Sequence, residues 1–173
     1  MIFRKATAED IIAIAEIYDQ IHTTEESGEA VIGWIRNVYP TADTAWASLA
    51  RGDLFVGEDA GKIFGAAIIN QLQVDSYSEG AWEFPAQDNE VMVLHTLVIS
   101  PKAARTGYGK AFVKFYEEYA LSQNCHYLRM DTNARNLRAR AMYKKLGYRE
   151  IGIVPCVFNG IEGVQLVLLE KKL

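Results

Sequence analysis

The spacing of apolar positions changes along the chain, and each change marks an element. Val91 to Ile99 (VMVLHTLVI) is a nearly unbroken apolar run with no breaker, which predicts a strand covered on both faces. Ser100 and Pro101 end it. A glycine-spaced turn, Thr106-Gly107-Tyr108-Gly109-Lys110, follows, and Phe112, Phe115, Tyr116 and Tyr119 then recur at helical spacing. Upstream, Ile2 to Ala6 reads as a short strand, and Thr7 with Asp10 has the form of a capping box. Ile11, Ile14, Ala15, Tyr18 and Ile21 give the helix that follows one apolar face. Ser27 and Gly28 punctuate the chain before a predicted short helix around Glu29 to Asn37, closed by Pro40, and a further helix runs from about Asp43 to Ala50 with Gly52 as its stop. Asp53 to Glu58 and Lys62 to Leu72 read as strands joined by the hairpin turn Asp59-Ala60-Gly61.

Gln73 to Asn89 has weak periodicity and reads as a long loop. His126 to Asp131 predicts a strand, and Asn136 to Leu146 a helix capped by Gly147. Tyr148 to Val154 and Val164 to Glu170 form a closing strand pair around Asn159-Gly160, a strong hairpin signal. This order implies a mixed α/β sheet with a local parallel pair, in a single domain spanning residues 1–173.

Composition narrows the classes. Hydrophobic residues make up 50% of the chain and charged residues 23%, near the average for globular proteins, and the net charge of -4 argues against nucleic acid as a partner. The start lacks the apolar run of a signal peptide and no window reaches membrane-spanning length, so a cytoplasmic protein is expected. Cys125 and Cys156 lack metal-ligand spacing, and with three histidines no metal site is expected.

Chemistry concentrates around the glycine-spaced turn. A helix start leaves several N–H groups without internal partners, and with the helix dipole, Arg105 and Lys110 it favours an anion such as phosphate. Trp34 and Tyr39 read either as core filler or as the wall of an acceptor pocket. No lysine or arginine occurs between Asn70 and Ser100, so Asp75, Glu79, Glu83, Asp88 and Glu90, with Trp82 and Phe84 among them, form either a solvated loop or an acidic lip for a cationic ligand.

Two motifs together carry a resemblance. Asn136-Leu-Arg-Ala139-Arg-Ala-Met-Tyr143-Lys-Lys-Leu-Gly147-Tyr148 resembles the N-x-x-A-x-x-x-Y-x-x-x-G-F/Y segment of the GNAT superfamily of N-acetyltransferases, and VLHTLVISPKAARTGYGK resembles its acetyl-CoA motif. By motif the likeness spans Val91 to Tyr148, with the acetyl-CoA motif at 91–123 and the second motif at 126–148; by architecture it covers the whole chain. It implies a mostly antiparallel mixed sheet of about six or seven strands with one central parallel pair, flanked by helices.

The resemblance further implies that backbone groups of Leu97, Val98 and Ile99 meet the pantetheine arm of acetyl-CoA. Arg105, Thr106, Gly107, Tyr108, Gly109 and Lys110 would cradle its pyrophosphate, and Asn136 and Tyr143 would contact the arm near the sulfur. The family usually places Gln or Arg where Ala104 stands here. The activity implied is direct transfer of an acetyl group to a primary amine of a small molecule or peptide, with Trp34, Tyr39, Trp82 and Glu83 as acceptor contacts. A lysine-like amine of pKa about 10.4 is neutral only about once per few thousand molecules at pH 7, so a base is useful. Glu90, at the entry of the strand, is the first candidate base and His95 the second, with Glu83 and Asp88 behind them. Tyr143 would return a proton to the leaving thiolate. A non-catalytic acyl-CoA-binding module and an enzyme for another acyl group are the alternatives. A homodimer is suggested by analogy alone.

Overall fold

The computed structural model describes residues 1–104 and 106–173. In chain order it contains β1 (Ile2–Lys5), α1 (Ile11–Glu26), α2 (Ala42–Arg51), β2 (Leu54–Asp59), β3 (Lys62–Asn70), β4 (Val91–Ile99), α3 (Tyr108–Ser122), β5 (Tyr127–Asn133), α4 (Leu137–Lys145), β6 (Arg149–Phe158) and β7 (Ile161–Lys172). The seven strands form one sheet in the order β1-β2-β3-β4-β5-β7-β6. Every neighbouring pair is antiparallel except β4 and β5. No helix among the described residues is long and apolar enough to cross a membrane.

Alternation along the strands explains their composition. Met92 and Leu94 of β4 and Val167 and Leu169 of β7 point into a core with Phe112, Val113 and Tyr116 of α3 and Tyr143 of α4. The residues between them, Val91, Val93, Leu166 and Leu168, point to the other face, where Tyr77 and Trp82 of the 71–90 segment cover them. A strand apolar on both sides needs a cover on both sides, and β4 and β7 have one. Toward β2 and β3 that second face is covered by α1, through Ile11, Ile14, Ile17 and Ile21, against Leu54, Val56, Ala66 and Ile68.

The stretch from Glu29 to Asn37, expected to be helical, is an irregular loop with a single bridge between Ile35 and Tyr39. Tertiary bonds replace the helical ones. The Glu25 carboxylate accepts the backbone N–H groups of Ile32 and Gly33, and Arg36 reaches back to Glu26 at 2.8 Å and to Asp19. Gly33 sits at φ +87°, and a side chain there would run into Asn133 at the end of β5. The segment therefore leans over the sheet instead of coiling.

One irregularity sets the geometry of the rest. Ala66 pairs with Val98 and Ile68 with His95, so two steps along β3 oppose three along β4, a β-bulge centred on Thr96 at φ +49°. A β-branched residue in the left-handed region is strained and holds only where its surroundings over-determine it. Here the Tyr39 hydroxyl bonds the Thr96 hydroxyl. On the β3 side the backbones come close: a Cβ at Gly65 would lie 2.5 Å from the Val98 carbonyl oxygen and 2.7 Å from Ile99 Cδ1. Gly65→Ala is expected to destabilise the protein by about 1–3 kcal/mol through overpacking, seen as a lower urea midpoint. An unchanged midpoint would show that β3 and β4 separate freely there.

Candidate active site

Past the bulge the two parallel strands part. β4 and β5 pair only from Val91–Leu94 against Tyr127–Met130, whereas β5 stays paired with β7 as far as Asn133. The edge of β4 from His95 to Ile99 that faces β5 thus has backbone donors and acceptors with no partner in the sheet. Between the splayed ends lies a cavity of about 110 Å³. Its lining includes Leu94, Thr96 and Leu97 from β4, Asp131 and Thr132 from β5, Asn136, Ala139 and Tyr143 from the α4 region, and Trp34 and Phe158 opposite them.

Both helices that follow the parallel strands begin at this opening, which is where open α/β sheets take ligands. They begin differently. At α4 the side-chain oxygen Oδ1 of Asn136 accepts the Ala139 N–H, 3.1 Å away, so that end is capped by its own side chain. At α3 the preceding residue is Gly107, at φ +90° with no side-chain bond to the helix. The N–H groups of Tyr108, Gly109 and Lys110 have no acceptor among the described residues, an arrangement suited to an anion. A Cβ at Gly107 would meet nothing within 4 Å, so the space before the helix is open. Tyr108 stacks on Phe64 and donates to Asp59 at 2.7 Å, which fixes the first turn. Thr106 donates to the Ala103 carbonyl at 2.6 Å, and Lys110 is exposed. Arg105 lies outside the described residues. Unpaired strand edge, cavity and uncapped helix start fit, in that order, the pantetheine arm, thioester and pyrophosphate of acetyl-CoA.

The cavity contains a carboxylate that the sequence reading did not single out. Arg129 and Asp131 alternate with Leu128 and Met130 along β5 and face the 71–90 segment. Tyr77 of that segment donates to Asp131 Oδ2 at 2.7 Å, and Trp82 Nε1 donates to the Tyr77 carbonyl at 2.7 Å. Burial pushes the Asp131 carboxyl up to about 6, against the downward pull of the Tyr77 hydrogen bond. Burial, then the neighbouring Asp131 charge, holds the Tyr143 phenol above its ordinary value. The Tyr143 hydroxyl has no hydrogen-bond partner among the described residues. One cleft therefore presents a group able to take a proton near neutrality and a group that keeps its own.

The other expected residues fall in several places. Leu97 lines the cavity, Val98 points to the α1 side of the sheet, and Ile99 packs on the α3 side. Trp34 lines the cavity and Tyr39 stands edge-on to both Trp34 and Phe158. Glu90 is exposed before β4, where its carboxylate accepts the Gln87 N–H at 2.8 Å. His95 points away from the cavity and donates to Asn70 Oδ1 at 3.0 Å, and burial lowers its pKa to about 4. Trp82 lies 4.1 Å from the Arg129 guanidinium, and exposed Glu83 pairs with Arg149. These four do not line the cavity. Among the described residues, no cluster of three or more His, Cys, Asp or Glu side chains could hold a metal ion.

A family model described as the acetyltransferase (GNAT) family matches residues 11–148. An uncharacterized N-acetyltransferase of Methanocaldococcus jannaschii is 24% identical over 99% of this chain and 92% of its own length. Among solved structures, the ribosomal-protein-alanine N-acetyltransferase of Brucella melitensis superposes with a TM-score of 0.71 at 20% identity, covering all of both chains. A Salmonella typhimurium protein solved with its cofactor acetyl-CoA superposes with a TM-score of 0.68 at 17% identity, covering 99% of this chain and 93% of that one. The chain belongs to the GNAT family and is an N-acetyltransferase.

The Asp131 carboxyl should titrate near pH 6 when its carbon resonance is followed by NMR. Tyr77→Phe should move that midpoint up, because it removes the bond that favours the charged form. A midpoint in the ordinary aspartate range would mean that Asp131 is well solvated.

Proposed function

We propose that this GNAT-family N-acetyltransferase works as a one-domain enzyme that moves an acetyl group directly from acetyl-CoA to a primary amine, with Asp131 as base and Tyr143 as acid. The supporting observation is that these two side chains line one cavity with proton affinities set far apart. When bound, acetyl-CoA supplies the thioester whose carbon–sulfur bond breaks as the new carbon–nitrogen bond forms.

The residues divide that chemistry among them. The unpaired backbone of Leu97 to Ile99 holds the pantetheine arm as an added strand would be held, and an N–H of this edge meets the thioester oxygen. The free N–H groups from Tyr108 to Lys110 hold the pyrophosphate, with Thr106 and Lys110 beside them and Asn136 on the arm. Ionised Asp131 receives the proton that the amine loses. Its affinity near 6 leaves it mostly charged at neutral pH yet far more basic than an ordinary aspartate. Tyr143 donates its proton to the departing sulfur and is reprotonated from solvent, while Asp131 releases its proton. The acceptor is a primary amine of a small molecule or peptide, brought in past Trp34 and Tyr39.

Tyr143→Phe and Asp131→Asn should each lower kcat by about 100-fold or more, with acetyl-CoA affinity nearly unchanged. Free-thiol release and calorimetric titration check the two halves, and a normal kcat in either variant removes that residue from the mechanism. Gly107→Val should instead weaken acetyl-CoA binding about tenfold, because the φ it must adopt is strained for any side chain. Unaltered affinity would place the pyrophosphate elsewhere.

A further inference from the structure

Transfer to an amine leaves open what carries the amine, and the far wall of the cavity bears on this. On the side of β4 and α4 the lining is Leu94, Leu97, Ala139 and Tyr143, the part that the reading above gives to the thioester. On the acceptor side Ile32, Trp34, Phe158, Val164 and Leu166 are apolar, two of them aromatic, with the uncharged polar side chains of Thr132 and Asn133 at the end of β5. Asp131 is the one charged side chain among the described lining residues.

Several nearby charges are engaged elsewhere, and the exposed Arg135 and Arg138 lie outside the lining. The Glu25 carboxylate behind Ile32 and Gly33 is bonded to their backbone N–H groups. Arg36 of the same loop is held outside by Asp19 and Glu26. Arg140, near the start of α4, is paired with Glu150 at 2.7 Å. No described cation therefore faces the cavity.

We infer that the acceptor is a primary amine on an uncharged, apolar frame. This rests on the acetyl-transfer reading. The ammonium would be met by Asp131 and by the face of Trp34, which attracts a cation, while the carbon frame replaces water against Phe158, Val164 and Leu166. An amino acid would bring its carboxylate beside Asp131 with no cation to meet it. A diamine would bury a second ammonium against Val164 and Leu166. Both lose the hydration of a charge without recovering it.

Matched pairs of amines test this with the unmodified protein and acetyl-CoA, following free thiol. Phenethylamine against phenylalanine differs by one carboxylate, and butylamine against 1,4-diaminobutane by one ammonium. An alanine-leading peptide serves as the third arm. The uncharged frame should give kcat/KM about 100-fold higher in each pair and above the peptide, and Trp34→Ala should raise KM for phenethylamine more than it changes kcat. Preference for phenylalanine, the diamine or the peptide overturns the inference and leaves acetyl transfer standing. Acetyl-CoA binding with no thiol release from any amine overturns the acetyl-transfer reading, and this inference with it.

Discussion

The extra residue at Thr96 is the constraint from which the site follows. Without it β4 and β5 could pair along their whole length, and every backbone group on the inner edge of β4 would be engaged. With it, pairing stops at Leu94 and Met130, and the strand edge, the cavity and the start of α3 open on the same side. A left-handed threonine is costly, so it is held from two directions. Tyr39 bonds its hydroxyl from the loop above, and on the other side His95 is tied to Asn70, Asn70 to Asp53 at 2.8 Å and Asp53 to Arg51 at 2.9 Å. This polar chain, running from half-buried His95 and Asn70 through buried Asp53 to exposed Arg51, links the bulge to β3, the start of β2 and the end of α2, which accounts for a histidine inside an otherwise apolar strand.

The long 71–90 segment has a related task. It covers the face of the sheet opposite α3 and α4, and it is fastened by the polar side chains that interrupt that face. Buried Glu170 accepts the Glu83 N–H at 2.7 Å, Arg129 bonds Gln73 and stacks on Trp82, and Asp131 receives Tyr77. A cover pinned this way supplies the Asp131 carboxylate with a donor and keeps water from its far side. The acids of the segment then fall on its outer surface. Asp131 lies underneath, lining the cavity.

Period, punctuation and two motifs made most of the fold legible. The apolar run of β4 was read to the residue, and Gly52 and Gly147 stop their helices in left-handed conformation as their positions suggested. The 29–37 segment was not legible, because its conformation depends on Glu25, Arg36 and Asn133, none of which acts through local helix propensity. Asp131 escaped because it closes a short strand, and a charged residue at a strand end reads as the beginning of solvent. A signal was nevertheless present: Leu128, Arg129, Met130 and Asp131 alternate, in a strand whose neighbours require cover on both faces. Two charges on one such face imply partners from a distant segment. That those partners include Tyr77 is a fact of tertiary structure alone.

Stability and chemistry pull in opposite directions at this carboxylate. The folded protein holds the Asp131 proton up to about pH 6, whereas an unfolded chain releases it near 3.8. The stabilising effect of protonation is therefore complete below 3.8 and is lost as pH rises through 6, so at neutral pH the fold carries a buried charge. His95 has the reverse sign: its folded pKa of about 4 lies below the reference 6.5, and its contribution is present above 6.5 and lost as pH falls toward 4. Through the same pH range one group favours the acid form of the fold and the other resists it. The cost at Asp131 gives a base stronger than an ordinary aspartate, placed beside a phenol that stays protonated. The histidine on the other side of the bulge is neutral at the pH where that carboxylate is charged.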